Sequence, residues 1–217
     1  MQSHTELKER HRATRQSMPA GLNTRIHRAL SWLHRAEQCE DSDGQFVFLW
    51  IAFNAAYAQD IPQHLRLSEQ DSFREFLLKL HLLDKGKLLD DLTWREFSGP
   101  IRVLLDNPYV FESFWEFHRG NLTEIQWKER LAKGKKTAAI LLAKGNTPEL
   151  LRLVFHRIYT LRNQLMHGGA TWNSQVNRAQ LQDCVNLLGK LVPVVIELML
   201  NNPDEMWGDA CYPMVTP

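Results

Sequence analysis

The sequence predicts an all-α protein. Apolar residues recur with helical spacing through most of the 217 residues, and no stretch alternates between apolar and polar residues as a half-buried strand does. The two helices nearest the start and the two nearest the end have the strongest periodicity. We therefore expect a bundle of these four core helices, with additional helices inserted in the middle of the chain.

Composition narrows the class of protein. A net charge of +1 excludes a protein that coats nucleic acid by overall charge, so any such contact needs a local basic patch. The cysteines are three in number and far apart, which predicts free thiols rather than a disulfide framework or a metal pair. The polar N-terminus and the lack of an apolar run of about 20 residues predict no signal peptide and no membrane partner. We expect a cytoplasmic protein.

The N-terminal part reads as an arm followed by two core helices. Residues 1–20 are highly charged and are expected to form a frayed arm. An amphipathic helix follows from about Asn23 to Glu40, and the polar segment 41–44 breaks it. The next helix, from Gln45 to about Gln59, is apolar on all sides and is predicted to be a buried central helix.

The middle of the chain, residues 61–145, is expected to be an insertion of shorter helical pieces. Ser68 can cap a helix that runs to about Leu83. Ser98 and Pro100 can begin another, and Pro108 precedes an aromatic segment at 109–118.

The C-terminal part carries the clearest helix boundaries. At 147–149, Thr-Pro-Glu supplies a hydroxyl cap, a proline at the first helical position and an acid near the positive end of the dipole. This helix is expected to end at His167, before two glycines. A last helix covers about Asn177 to Asn201, and Pro193 is expected to bend it. Residues 1–217 are predicted to form one domain.

Arg162 is an anomaly within its helix. At 100° per residue it falls inside an apolar arc, beside Ile158 and Met166. A guanidinium keeps its charge and is costly to bury without partners. The alternatives are an acid or amide on a neighbouring helix, a second subunit, a bound anion, or a side chain that reaches out to solvent along its stem.

The opposite face of the same helix is polar. Asn163 and His167 are four residues apart and can touch, whereas His167 lies about 140° around from Arg162. The two would converge if the helix loosened at its end or if a second copy supplied one of them; a histidine that simply favours the helix dipole is the alternative. Asn54, an amide in an apolar helix, needs a partner, which is Arg162, Asn163 or backbone.

The segment Arg162-Asn163-Gln164-Leu165-Met166-His167 resembles the motif of the HEPN superfamily: arginine, a polar residue, three residues, histidine, late in the third core helix and before glycine. The stretches 28–33 and 48–57 look like one bacterial branch of that superfamily. The resemblance covers the two N-terminal and two C-terminal helices and leaves 61–145 unexplained. In the toxins whose partner enzyme modifies a tyrosine, that tyrosine follows the histidine closely; glycines stand here, so that control is not expected.

The resemblance implies a homodimer with two motifs in one cleft and RNA cleavage without metal or cofactor. His167 would act as base or acid, and Arg162 would clamp the phosphate. Asn163 would orient the scissile phosphate or the histidine. Asn54, Tyr159 and His156 are candidate supporting residues. No histidine pair of the His-x-x-x-His type with a nearby acid suggests a metal site.

A basic run lies upstream of the motif helix and is a candidate RNA-binding surface, although such runs are usually solvated faces. Its members are Lys128, Arg130, Lys133, Lys135, Lys136 and Lys144, of which the first five are the candidate RNA-binding residues. The leading hypothesis is a homodimeric endoribonuclease, a toxin or defence effector with an RNA substrate and an antitoxin partner. The alternatives are a catalytically silent HEPN module and a structural dimer in which the polar residues fix helix register.

Overall fold

The computed structural model describes residues 2–60, 69–175 and 177–212, and the all-α prediction is confirmed. The helices within these ranges are α1 (His4–Thr14), α2 (Ala20–Glu37), α3 (Ser42–Tyr57), α4 (Glu69–Leu83), α5 (Leu88–Asp90), α6 (Ser98–Asp106), α7 (Glu112–His118), α8 (Glu124–Lys144), α9 (Thr147–Met166) and α10 (Arg178–Asn201). A π-helical segment (Asp91–Glu96), a 3₁₀ turn (Pro108–Val110) and two two-residue strands, β1 (Gln59–Asp60) and β2 (Asp209–Ala210), complete the described elements. None of the described helices is long and apolar enough to cross a membrane.

The chain divides into two compact units. Unit 1 contains Met1–Leu89 and Val185–Pro217, and unit 2 is the continuous segment Asp90–Cys184. The motif helix α9 thus groups with the middle helices, whereas the sequence placed a boundary at residue 145. That the whole chain is one domain stays a prediction.

The N-terminal segment is a helix instead of the expected frayed arm. Ser3 and Glu6 form a capping box: the Ser3 hydroxyl accepts from the Glu6 amide at 3.3 Å, and the Glu6 carboxylate accepts from the Ser3 amide at 2.7 Å. Leu7 is fully buried and fixes α1 to the rest of unit 1. Because the segment is highly charged, neither the capping box nor the core position of Leu7 was recognised in the sequence.

Two core helices of unit 1 pack along each other, α2 against α3. α3 is less buried than its apolar sequence predicted, since Phe46, Leu49 and Phe53 are buried but Trp50 is only half-buried. Continuous burial occurs in α10 instead, where all six residues of 191–196 are buried. Pro193 lies within that helix, as expected.

Arg25 of α2 is the largest fully buried side chain among the described residues of unit 1, and none of their carboxylates forms an ion pair with it. It donates instead to four backbone carbonyls: those of Ala56 and Tyr57 at the end of α3, and those of Trp207 and Gly208 before β2. One guanidinium therefore joins α2, the end of α3 and the C-terminal segment. The antiparallel pair β1–β2 lies beside this joint.

Unit 2 contains a helix that the sequence did not predict. The middle region was expected to hold only short pieces, but α8 has 21 residues. A capping box of Thr123 and Gln126 begins it, and Gly145, in a left-handed conformation, ends it. Only Ala138 of α8 is buried, so apolar periodicity is too weak to reveal the helix. α8 packs against α6, α7 and α9.

The other predicted boundaries agree within a few residues. α4 ends at Leu83, α6 begins at Ser98, and a 3₁₀ turn at Pro108 precedes the aromatic helix α7. The proposed cap of α4, Ser68, lies outside the described residues. The cap of α9 is Asn146 and not Thr147: the Asn146 side chain accepts from the Glu149 amide at 3.2 Å.

Candidate functional site

α9 carries the motif and is held at both ends. At its start, the buried Thr147 hydroxyl donates to Asp90 at 2.5 Å and accepts from the indole N–H of Trp94 at 2.7 Å. At its end, Gly168 has a φ of 68° and donates to Leu165, while Gly169 donates to Gln164 at 2.7 Å. These two bonds form a Schellman motif, so the glycines stop the helix as predicted.

Only part of the predicted apolar arc of α9 is buried. Leu150, Val154, Ile158 and their buried neighbours face the interior of unit 2. Tyr159 and Met166, which the arc assigned to the core, are 43% and 49% exposed. The arc therefore continues from buried core onto an open surface.

Arg162 lies at the edge between these two regions and is half-buried. Its Nη1 donates to the Asn163 side-chain oxygen at 2.9 Å, and its guanidinium carbon lies 5.9 Å from the centre of the Tyr159 ring. Its Nε is buried without a hydrogen-bond partner. Among the residues that the structure describes, Arg162 makes no ion pair. The guanidinium thus retains donors and an uncompensated charge, as a site for an anion requires.

His167 stands just beyond the last helical residue. Its backbone N–H donates to the Asn163 carbonyl at 3.1 Å, and its imidazole is exposed. Within the described part of the chain, this imidazole has no hydrogen-bond partner. The structure therefore brings the Arg162 and Asn163 side chains together and leaves the His167 imidazole open to solvent, without a hydrogen bond to either side chain.

The motif is also anchored through its third residue. The Gln164 amide donates to the Tyr109 carbonyl at 2.7 Å, and the Trp115 indole donates to the same carbonyl at 2.7 Å. This fixes the end of α9 to the 3₁₀ turn and to α7. A fixed helix end keeps the motif residues in one orientation, which binding or catalysis needs.

The three predicted supporting residues have different environments. His156 is half-buried, and its pKa is lowered by burial first and then by the charges of Arg152 and Arg157. Tyr159 is beside Arg162, as described. Asn54 is a half-buried residue of α3 in unit 1, so its pairing with the motif stays a prediction.

Sequence reasoning missed Arg157, the most buried charge of α9. It is 6% exposed, its guanidinium carbon stacks 4.2 Å above the Phe111 ring, and its Nε has no partner. Burial lowers its pKa to about 10, so it remains charged at neutral pH. The helical wheel places Arg157 next to Leu150, just beyond one edge of the apolar arc, and that position was the available signal.

The predicted RNA-binding residues all lie on α8 and are all exposed. Two of them are paired with acids: Lys128 with Glu124 at 2.5 Å, and Lys135 with Asp106 at 3.3 Å. The remaining three, at steps of three residues, have no ion pair in the part of the chain described here: Arg130, Lys133 and Lys136. Only these three offer unneutralised charge along one band of the helix.

No protein-family model, curated protein or solved structure matches this chain. The chemistry of the site rests on its own residues. A half-buried cation with free donors can hold a phosphate, and an accessible imidazole can act as a general acid or base.

Proposed function

We propose that this chain is a HEPN-type endoribonuclease that works as a homodimer and needs no metal for cleavage. The observation that carries the proposal is Arg162, a half-buried guanidinium in a motif that ends in an exposed histidine. Among the described residues it has no acid partner, and its Nε is unpaired. In this proposal α2, α3, α9 and α10 correspond to the four core helices of the family.

The exposed side of α9 supports dimerisation through this helix. Tyr159, Arg162 and Met166 are spaced three and four residues apart, so they share one face. Tyr159 and Met166 are large, apolar and exposed, which is typical of a surface that a partner covers. A two-fold contact here would bring two copies of the motif together and exclude water from both guanidinium groups.

The reaction follows from the two side chains. One His167 imidazole removes the proton from a ribose 2′-hydroxyl, whose oxygen forms a bond to the adjacent phosphorus. The bond from phosphorus to the 5′-oxygen breaks, and that oxygen takes a proton from the second His167 of the dimer. Arg162 stabilises the charge that develops on the phosphorane oxygens, and Asn163 holds the guanidinium in position. The products are a 2′,3′-cyclic phosphate and a 5′-hydroxyl.

A catalytically silent HEPN module, which binds RNA or a partner protein, is the second candidate. It is favoured by the imidazole of His167, which makes no described contact with Arg162 or Asn163. In the enzyme, and in a silent module that binds RNA, the unpaired basic band of α8 (Arg130, Lys133 and Lys136) would contact the RNA backbone. The proposal that the chain is a toxin or defence effector, with an antitoxin as its partner, depends on the cleavage activity.

Cleavage of a mixed RNA substrate in EDTA tests the enzyme. We expect the wild type to cut, and His167→Ala and Arg162→Ala to lose at least the ~100-fold that general acid–base catalysis supplies. His118→Ala and Arg102→Ala are matched controls, because both residues are exposed, belong to unit 2 and lie outside both the motif and the basic run. RNA binding without cleavage would support the silent module.

The oligomeric state gives an independent test. Light scattering should show a dimer, and Met166→Asp should reduce both the dimer fraction and the activity, because it places a charge in the shared face. A wild-type protein that cleaves RNA as a strict monomer would refute the composite site. A protein with neither cleavage nor RNA binding would leave only a structural role for the motif.

A further inference from the structure

Two pairs of histidines face each other between α1 and α2. His4 stacks on His34 with ring centres 4.7 Å apart and planes 15° apart, and His11 lies 6.2 Å from His27. Within each helix the two histidines are seven residues apart, about two turns, so both pairs lie on the same side of their helices. The two pairs differ in the group that accompanies them.

The first pair is accompanied by a carboxylate. Glu37 is one turn beyond His34 on α2, and its Oε2 lies 4.0 Å from Nδ1 of His4. The ligand atoms of His4, His34 and Glu37 all lie within 4.8 Å of one another. These three residues, which we call the His4 cluster, are the one such group among the residues that the structure describes.

We propose that the His4 cluster is a binding site for a divalent transition-metal ion, Zn²⁺ above all, which fastens α1 to the end of α2. Two imidazole nitrogens and one carboxylate oxygen are a donor set that Zn²⁺ uses in proteins, with water in the fourth position. The site lies in unit 1, away from the proposed nuclease motif in the sequence, and does not depend on that function.

The spacing of the donors suits this ion. With metal–nitrogen distances of about 2.0–2.1 Å, neighbouring ligands of a tetrahedral Zn²⁺ are roughly 3.3 Å apart. The ligand atoms of the His4 cluster would need to approach one another by about 1.5 Å at most. The two stacked rings would also have to turn so that one nitrogen of each points at the ion, which changes in the side-chain torsion angles would supply.

Divalent metal ions bind neutral imidazole nitrogens and carboxylate oxygens, which are the two kinds of donor that the His4 cluster holds. Without a metal, the two rings and the acid lie close together with no ion pair shorter than 4.0 Å.

Neighbouring groups can hold the ligands in place. The Gln38 amide lies 2.9 Å from Nε2 of His34, one turn further along α2. With its oxygen turned towards the ring it would accept from Nε2–H and leave Nδ1 for the metal, the arrangement that orients most metal-bound histidines.

The second pair lacks these features and serves as an internal control. His11 is buried, and its Nε2 lies 2.7 Å from the side-chain oxygen of Asn23, so one ring nitrogen already has a partner. No carboxylate joins this pair in a described cluster. His27 is exposed on the same side of α2 as His34, which makes it the matched residue for substitution.

The test uses the full chain without a polyhistidine tag, stripped of metal and titrated with Zn²⁺ and with Co²⁺. We expect one ion per chain and, for Co²⁺, the visible absorption of a tetrahedral site. His34→Gln and Glu37→Gln should each bind at least tenfold more weakly, since even the loss of an outer-shell partner costs about 10–100-fold. His27→Gln should bind as the wild type does. Circular dichroism of each variant without metal checks that the helices form.

A second measurement tests whether the ion fastens α1. Trypsin can cut at Arg12 and Arg15, which are exposed at the end of α1. Saturating Zn²⁺ should slow these cuts in the wild type and in His27→Gln, but not in His34→Gln. The proposal is overturned if the wild type takes up no stoichiometric Zn²⁺, or if His34→Gln and Glu37→Gln bind it as tightly as His27→Gln.

Discussion

Arg25 and Arg157 offer a direct test of what a buried arginine contributes to stability. They are 1% and 6% exposed, and burial lowers the pKa of each to about 10. Replacing either by methionine therefore removes a similar burial penalty. Any difference in stability between the two variants therefore reflects the groups that each guanidinium contacts. These are four backbone carbonyls for Arg25 and the face of the Phe111 ring for Arg157.

These different partners predict that the free energy of unfolding falls strongly in Arg25→Met, in unit 1, and weakly in Arg157→Met, in unit 2. Arg25→Met leaves at least two buried carbonyls, those of Ala56 and Trp207, without a donor. At about 1–3 kcal/mol for each, the free energy of unfolding should fall by roughly 3 kcal/mol. Arg157→Met loses a cation–π contact but also removes a buried Nε that has no hydrogen-bond partner. The free energy of unfolding should therefore change by no more than about 1 kcal/mol.

The assay must report each unit separately, because the two need not unfold in one transition. Hydrogen exchange in increasing urea, followed by mass spectrometry of peptides from α2 and α9, gives the opening free energy of each. Arg28→Met is the control: half-buried Arg28 donates to the carbonyls of Cys211 and Tyr212 near the surface, and about 1 kcal/mol or less is expected. Equal losses for Arg25→Met and Arg157→Met would refute the reasoning.

Three further predictions concern local features. The pKa of buried His11 is lowered from 6.5, chiefly by burial, so as the pH falls the unfolded chain binds a proton at this residue before the folded chain does. The stability of unit 1 should therefore be full above about pH 6.5 and decline below it. His11→Gln should flatten this decline in urea midpoints measured between pH 7.5 and 5. Gly21→Ala should destabilise unit 1, since its Cβ would lie 3.0 Å from the Asp209 Cα. The Cβ added in Gly99→Ala would meet nothing within 4 Å, so thermal melts should show this change to be neutral or stabilising. Asn146→Ala removes the α9 cap and should cost about 1 kcal/mol, read by hydrogen exchange at the start of α9; an unchanged rate there would contradict the cap.

The sequence predicted those features that depend on neighbouring residues. The glycines after α9 and the proline turn before α7 are local signals, and both agree with the structure. The capping box of Ser3 and Glu6 is equally local but was overlooked because the segment is highly charged. α8 was not predicted because a helix with one buried residue has little apolar periodicity.

The site required information that spacing alone does not contain. A helical wheel gives the angle of Arg162 but not where the core ends, so it overstated the burial of Arg162 and missed Arg157. The His4 cluster joins residues that are thirty positions apart, on two helices whose contact no single-sequence pattern specifies. Such contacts follow from tertiary packing.

The division of the chain into units sets the order in which they can be completed during synthesis. Unit 2 is continuous, so every part of it is available once Cys184 has left the ribosome. Unit 1 must wait for its last segment, and until Trp207 and Gly208 emerge, Arg25 lacks two of its carbonyl acceptors. Water solvates the Arg25 guanidinium until then, and residues 207–208 replace part of that water when they complete the core of unit 1.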